Sequence, residues 1–181
     1  MPPRRDTDDS APPPVPAALA HLPIVGGLVV PWITPRTTDG RYLLGAVDAA
    51  KIRMAIHRRL CGVCGQPLGD RLVLLVRESD LARLASTEPG LHPHCAAYCT
   101  TACPMVAGRR SHYRTSAHHI GPSAIHGADV DKRLGAAAEP WHAVWLTRYD
   151  VITLHGHPAA SYLLISPLRI RPVNTRLHQN S

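Results

Sequence analysis

The residues of this chain whose types and spacing suggest chemistry are two pairs of metal-binding side chains. Cys61 and Cys64 form a C-x-x-C pair followed by Gly65, and His92 and Cys95 form an H-x-x-C pair. Thiolates two residues apart can chelate one ion, and thiolate and imidazole are the ligands of structural zinc sites. A site of three thiolates and one imidazole leaves no open position for water, so the pattern predicts a structural Zn²⁺ rather than a catalytic one.

The spacing leaves alternatives open. His94 could replace His92 as the imidazole ligand, but Pro93 makes the two histidines point differently, and the x-x spacing to the next cysteine favours His92. A redox role for Cys61 and Cys64 is disfavoured, because a redox C-x-x-C pair normally opens a helix after a strand. Here a predicted helix precedes the pair instead.

Two further cysteines add to this uncertainty. Cys99 and Cys103 follow Cys95 at intervals of four residues, so all three lie on one face of a predicted helix. Either could compete for the fourth ligand position. Free cysteines more often behave as small apolar core residues, and that is the interpretation we favour for both.

Two predicted helices position these residues, one directly before the C-x-x-C pair and one that begins at the H-x-x-C pair. Asp48 is a suitable N-cap for a helix ending near Arg59, with Ile52, Ala55 and Ile56 on one face. A second helix is expected over residues 92–103, with a proline in its first turn and Pro104 beyond its end. The strand expected at residues 71–76, after the C-x-x-C knuckle, could form a hairpin with a neighbour. A knuckle, a hairpin and a helix whose first turn supplies the second ligand pair make a treble-clef arrangement.

The remaining pattern predicts an α+β domain with a C-terminal antiparallel sheet. A short strand is expected within residues 24–32, and Ser79 or Asp80 should cap a helix over residues 81–85. Turn-forming residues at 156–158 separate two of the later segments. The other strands are expected over residues 71–76, 141–147, 150–154 and 161–166.

Composition sets the domain boundaries and the compartment. Residues 1–20 are rich in proline and predict a disordered tail, residues 21–170 a single zinc-binding domain, and residues 171–181 a flexible C-terminal tail. No apolar run is long enough to span a bilayer, and the N-terminus lacks the apolar core of a signal peptide. The chain has five cysteines, an odd number, which favours metal binding over disulfides. The expected location is therefore the cytoplasm.

The charge of the chain has two interpretations. The net charge is +7, with eighteen arginines and two lysines. This bias is typical of a GC-rich genome, and it is also typical of a surface that binds phosphate, for which arginine is the better residue. The sequence alone does not separate the two. Arginines predicted to contact DNA or RNA are Arg53, Arg58, Arg59, Arg109, Arg110 and Arg114.

A histidine-rich stretch beyond this cluster suggests a different activity. His118 and His119 precede Ile120 and Pro122, which resembles the first half of an H-N-H nuclease motif. The asparagine and closing histidine that such a motif requires are missing at the expected distance. A metal-dependent nuclease is therefore the least favoured of three functions, and the chain is expected not to be an enzyme.

A set of short motifs is spread over roughly residues 22–155, namely Leu22-Pro23, Pro31-Trp32, Asp39-Gly40-Arg41 and the segments at 58–69, 88–104 and 144–150. Together these motifs resemble a widespread family of small zinc-knuckle proteins of actinobacteria and their phages. The resemblance implies that the two cysteines of the knuckle, the histidine and cysteine of H-x-x-C and a later cysteine recur. The resemblance implies no established activity. In this sequence the recurring residues are Cys61, Cys64, His92, Cys95 and Cys103.

The function predicted from these observations is a non-enzymatic binding module with a structural zinc ion. Its expected partner is nucleic acid, and its expected role is that of an accessory or regulatory protein of a phage or its host. The alternative is a protein-interaction adaptor in which zinc only braces the fold and an edge of the C-terminal sheet is the contact surface. No partner in a membrane is expected.

Overall fold

A computed structural model describes residues 11–113, 124–125 and 134–173, and shows an α+β fold with antiparallel sheets. A single 3-10 turn, Ala17–Leu19, precedes the first strand. The helices are α1 Ala49–Arg58, α2 Glu78–Arg83 and α3 Pro93–Ala102. The strands are β1 Ile24–Val25, β2 Leu28–Val29, β3 Val47–Asp48, β4 Leu72–Arg77, β5 Ala85–Ser86, β6 Ala124–Ile125, β7 Trp141–Leu146, β8 Asp150–Leu154, β9 His157–Ser161 and β10 Arg169–Pro172.

The first three-stranded sheet has the strand order β10–β7–β4, and its strand β4 is covered on both faces. All six residues of β4 are buried, because alternate side chains enter two different apolar clusters. Val73 and Leu75 pack in the first cluster, which contains Cys61, Cys64 and Cys95. Leu72, Leu74 and Val76 pack in the second cluster with Ile56, Val144 and Tyr149. The sheet therefore separates the side that carries the candidate metal ligands, here called the metal-ligand side, from a side built on α1.

Helix α1 confirms the predicted cap and the predicted face. The Asp48 carboxylate accepts hydrogen bonds from the backbone N–H groups of Ala50 and Lys51, at 2.9 and 3.1 Å. Ala55 and Ile56 are fully buried, and Ile52 packs partly buried against the second cluster. The helix ends where Arg59 adopts a left-handed conformation, with φ of 52°. This ending directs the chain into the C-x-x-C segment.

The segment between the two ligand pairs differs from the prediction in two respects. Helix α2 begins at Glu78 rather than after a cap at Ser79 or Asp80. Asp80 occupies the third helical position, where its carboxylate accepts hydrogen bonds from the Arg77 backbone N–H and from Arg77 Nε, the latter at 2.6 Å. Strand β4 pairs along its whole length with β7, much later in the chain, and contacts the segment that follows it through an isolated bridge between Val73 and Leu91 rather than a full hairpin.

The second three-stranded sheet has the order β5–β9–β8, and it corrects one predicted strand. The strand expected over residues 161–166 lies earlier, at His157–Ser161. His155 and Gly156 both have positive φ, at 49° and 80°, which is the geometry of a type I′ hairpin turn. Because that turn occupies only two residues, β9 begins at His157 and accommodates Pro158 within the strand. The predicted strand at 150–154 is confirmed as β8.

The N-terminal region packs against the metal-ligand side. The strand expected within residues 24–32 is a hairpin of two short strands, β1 and β2, joined at Gly26 and Gly27. Leu19, which lies within the predicted tail, is fully buried in the first cluster. No helix among the described residues is both long and apolar enough to cross a bilayer.

Candidate metal centre

The C-x-x-C pair lies in a tight turn that directly follows α1. Leu60 and Pro67 form an isolated antiparallel bridge that closes the turn. Within it, the Cys61 N–H donates to the Gln66 carbonyl, and the Gly65 N–H donates to the Cys61 carbonyl, both at 2.8 Å. The chain is thereby folded back on itself. Both cysteine side chains point to the same side, into the first apolar cluster.

Gly65 is required by this turn on two grounds. Its φ is +72°, in the left-handed region that side chains rarely adopt. A Cβ atom at this position would also lie 2.8 Å from the ring of Trp32. Trp32 itself is held against the turn by the hydrogen bond from its N–H to the Val63 carbonyl, at 2.8 Å.

The first turn of α3 brings the second ligand pair to the first. His92 is the N-cap residue, Pro93 occupies the first helical turn, and Cys95 lies buried in that same turn. The Leu91 N–H and carbonyl both bond to Val73 of β4, at 2.9 Å, which fixes the entry to the helix. As a result, the potential ligand atoms of four residues lie within 4.8 Å of one another. They are Cys61, Cys64, His92 and Cys95.

The contacts of His92 select which ring nitrogen faces the sulfurs. His92 Nδ1 lies 3.3 Å from Cys64 Sγ, and Nε2 lies 2.9 Å from the Pro67 carbonyl oxygen. A carbonyl can only accept, so Nε2 carries the proton and donates it. Nδ1 is left with its lone pair directed at the sulfur atoms. A hydrogen bond from the far nitrogen to a carbonyl is the usual support of a metal-bound imidazole.

The thiols form a closed, buried group. Cys61 and Cys95 are fully buried, Cys64 is 8% exposed, and none of the three is in a disulfide. The hydrogen bond with Cys95 lowers the pKa of the Cys61 thiol to about 4, and the same bond raises the pKa of Cys95. Three sulfurs and one imidazole nitrogen this close together fit a four-coordinate metal ion, with no side left for a substrate.

The competing ligands stand apart from this group. His94 is exposed and stacks on His92, with ring centroids 5.4 Å apart. Cys99 and Cys103 pack partly buried against the first apolar cluster. Burial raises the pKa of the Cys99 thiol to about 12, as expected of a core residue rather than a metal-bound thiolate. None of the three belongs to the metal-ligand group found among the described residues.

The six arginines predicted to contact nucleic acid have different surroundings. Arg53 and Arg58 are exposed on α1, and Arg110 is exposed beyond α3. Arg59 donates to the Tyr149 carbonyl at 2.9 Å and stacks over the Tyr149 ring. Arg109 donates to the carbonyls of two residues in the last turn of α3, at 2.8 and 3.1 Å. Arg114, like the nuclease candidates His118 and His119, lies outside the described residues.

Two groups that support the candidate centre could not be assigned to it from the sequence. The Pro67 carbonyl that orients His92 is a main-chain group, and no side-chain type marks it. Trp32 lies against the knuckle glycine although it is far away in sequence, and only its place in a short apolar run suggests burial. The four candidate ligands themselves are indicated by the spacing within the C-x-x-C and H-x-x-C pairs.

Comparison of the chain with family models, with curated proteins and with solved structures finds no match.

Proposed function

We propose that Cys61, Cys64, His92 and Cys95 hold one structural zinc ion in a centre of the treble-clef type. The proposal is supported by the convergence of three sulfurs and one imidazole nitrogen on a common position. Soft thiolates combined with imidazole in a tetrahedral set favour zinc over magnesium, calcium or manganese. The ion would join the turn after α1 to the first turn of α3, and so brace the first apolar cluster.

The module built around this centre binds nucleic acid, and the exposed face of α1 is its contact surface. The observation that carries this step is a set of uncompensated cations. Arg53 and Arg58 are exposed, and in the described part of the chain neither has an ion-pair or hydrogen-bond partner. His57 lies one turn after Arg53 on the same face. Unpaired guanidinium groups on a helix surface are suited to bidentate contacts with phosphate oxygens.

The other predicted arginines contribute less to this surface. Arg59 and Arg109 already donate to main-chain carbonyls, so each would give up structural hydrogen bonds to reach a phosphate. Arg110 remains exposed and available. An accessory or regulatory role in a phage or its actinobacterial host rests on the sequence resemblance alone.

The test is the salt dependence of binding to labelled duplex DNA and to single-stranded RNA, measured by fluorescence anisotropy. The double variant Arg53→Gln, Arg58→Gln should bind more weakly, and the slope of log affinity against log salt should fall by about 1 for each arginine. Arg41→Gln is the matched control, because the Arg41 guanidinium is exposed but paired with Asp39 at 2.7 Å. Absence of binding even at low salt, or an equal loss in the control, would rule out the proposal.

A second candidate function is favoured by one surface feature. Leu163 and Leu164 are 65% and 84% exposed side by side in the turn after β9, and an adjacent pair of exposed apolar side chains is suited to contact with an apolar surface of another protein. The chain would then act as an adaptor, with zinc in a purely structural role. Retention of the metal together with no nucleic-acid binding at low salt would favour this adaptor over the first candidate.

A further inference from the structure

Strand β8 is an open edge of the second sheet. It is outermost in the order β5–β9–β8, and in the described ranges no strand pairs with its outer side. Val151 and Ile152 are 38% and 39% exposed although their side chains point to opposite faces. An uncovered apolar edge strand is a template on which another strand can pair.

The register identifies the backbone groups that this edge presents. Leu154 and His157 flank the two-residue turn, so they form a hydrogen-bonded pair, and such pairs alternate with non-bonded ones along the ladder. Val151 and Thr153 therefore direct their N–H and C=O groups away from β9. Pro158 agrees with this assignment, because it lies opposite Thr153 in a non-bonded pair, where a missing N–H is harmless.

Strand β10, an outer strand of the first sheet, differs from β8 in the residues that it carries. Strand β10 ends the first sheet and carries Arg169, Arg171 and Pro172, all exposed. The Val173 N–H bonds to the Trp141 carbonyl, so Pro172 lies at an outward-facing position that offers no donor. Charge and proline are the usual means of preventing edge pairing. Residues 151–154 contain neither.

We propose that β8 pairs with β8 of a second copy of this chain, antiparallel and about a two-fold axis. The outward groups of Val151 then meet those of Thr153 in the second copy, and Ile152 lies opposite its own counterpart. The two sheets join into one of six strands. This interface is isologous, as closed dimers require, and it is independent of the nucleic-acid proposal.

The charge pattern of the strand supports a second copy as the occupant. In this register Asp150 faces Leu154 of the second copy, so the two Asp150 carboxylates lie at opposite ends of the paired segment. Arg148 partly neutralises each carboxylate within its own chain, with 3.9 Å between Arg148 Nη1 and Asp150 Oδ1. The paired segment between those ends is uncharged. Two chains of net charge +7 can therefore meet here without like charges in direct contact.

The experiment is sedimentation velocity of the full chain over a wide concentration range. The wild-type mass should rise from the 19.6 kDa of one chain towards twice that value. Ile152→Lys places two ammonium groups opposite each other and should weaken association by at least about tenfold. Ile170→Lys is the matched control, because Ile170 is 44% exposed on the edge formed by β10. It should associate like the wild type.

A second variant tests the hydrogen bonds rather than the side chain. Thr153→Pro removes one outward N–H and leaves the ladder with β9 intact, so it should also yield monomer while retaining its metal and its circular dichroism spectrum. A wild type that stays monomeric at every concentration would overturn the proposal. So would a dimer that persists in both Ile152→Lys and Thr153→Pro, or one that Ile170→Lys weakens equally.

Discussion

At the scale of single residues, the candidate metal centre depends on which nitrogen of His92 carries the imidazole proton. The Pro67 carbonyl accepts the Nε2 proton of His92, which leaves Nδ1 facing Cys64 Sγ. The three thiols complete the group from a buried position. Removing one of these thiols should therefore remove the bound metal ion. Cys99 on α3 and Cys103 at its end should not be needed for metal binding.

Replacement of individual cysteines tests this division. Cys61→Ser should lose the bound metal and much of its thermal stability, because structural zinc binding is coupled directly to folding. Cys103→Ser should keep one metal ion per chain, since Cys103 lies outside the ligand group. Elemental analysis of the purified proteins gives the metal content, and thermal melting gives the stability. Equal metal loss in both variants would mean that the ligand set includes Cys103.

Replacement of glycine tests the shape of the turn. Gly65→Ala should destabilise the fold by about 1–3 kcal/mol, because it combines a positive φ with a clash against the ring of Trp32. Gly69→Ala is the control, since nothing lies within 4 Å of a Cβ atom placed there. Urea denaturation of the metal-loaded proteins measures the difference. Equal stability of the two variants would contradict the tight packing of Trp32 on the knuckle.

The convergence of Cys61, Cys64, His92 and Cys95 could be predicted because thiolate and imidazole in paired x-x spacing have few uses other than binding one metal ion. The carbonyl that orients His92 and the tryptophan against Gly65 could not. Both are placed by the folding of a segment whose side chains do not coordinate metal. The arginines illustrate the same difficulty, since sequence cannot separate the exposed Arg53 from Arg59, which bonds to the Tyr149 carbonyl.

At the scale of elements, a reciprocal contact joins the end of α1 to the start of β8. The Tyr149 hydroxyl donates to the Ile56 carbonyl at 2.8 Å, and Arg59 donates to the Tyr149 carbonyl at 2.9 Å. The acceptor of the first bond is a carbonyl near the end of α1, and the acceptor of the second is the carbonyl just before β8. The Tyr149 side chain is fully buried in the second cluster.

This contact predicts a loss of stability at alkaline pH. Burial raises the pKa of the Tyr149 hydroxyl to about 12, above its value of about 10 in an unfolded chain. Below about pH 10 the Tyr149 hydroxyl is neutral in both the folded and the unfolded chain, so its contribution to the free energy of unfolding does not change with pH. Between about pH 10 and about pH 12 only the unfolded chain ionises there, and the free energy of unfolding falls.

Tyr149→Phe isolates this effect from the other groups that titrate in the same range. The variant should be less stable at neutral pH by about 1 kcal/mol, through loss of the hydrogen bond to Ile56. Its stability should fall less steeply than that of the wild type above about pH 10. Urea denaturation at a series of pH values gives both numbers. Parallel curves for the two proteins would show that Tyr149 does not titrate differently on folding.

Elements governed by local signals could be predicted, and those governed by pairing could not. Asp48 marks the start of α1 because its carboxylate accepts hydrogen bonds within the first turn. Helix α2 starts at Glu78, three residues before the expected start at residue 81, since Asp80 bonds back to the buried Arg77. Pro158 suggested a turn, but its place opposite Thr153 makes it acceptable inside β9.

At the scale of the whole molecule, two apolar clusters share the sheet β10–β7–β4. The first cluster contains the thiols and the side chains of α3, whereas the second contains Ile56, Tyr149 and alternate residues of β4 and β7. Only the first cluster is cross-linked by the proposed zinc ion. The pairing of β4 with β7, which creates this division, joins distant segments and could not be predicted from local pattern.

Metal removal should therefore affect the two sides unequally. With a chelator present, amide hydrogen exchange should increase first in α3 and in the turn at residues 60–67. The ladder between β8 and β9 should keep its protection longer, because its packing on α1 does not depend on the ligands. Exchange measured by mass spectrometry of peptides checks this order. A simultaneous loss of protection everywhere would mean that the two clusters unfold as one cooperative unit.

The pairing of β4 also sets an order of events during synthesis. Cys95 leaves the ribosome well before β7, so all four candidate metal ligands are present while β4 still lacks its partner strand. At roughly 5–20 residues per second, several seconds pass before Trp141–Leu146 can pair with Leu72–Arg77. During that interval a strand of five apolar residues and one arginine is unpaired and prone to self-association. Early metal capture would hold Val73 and Leu75 against the nascent first cluster, and so shorten the exposure of this strand to chaperones and proteases.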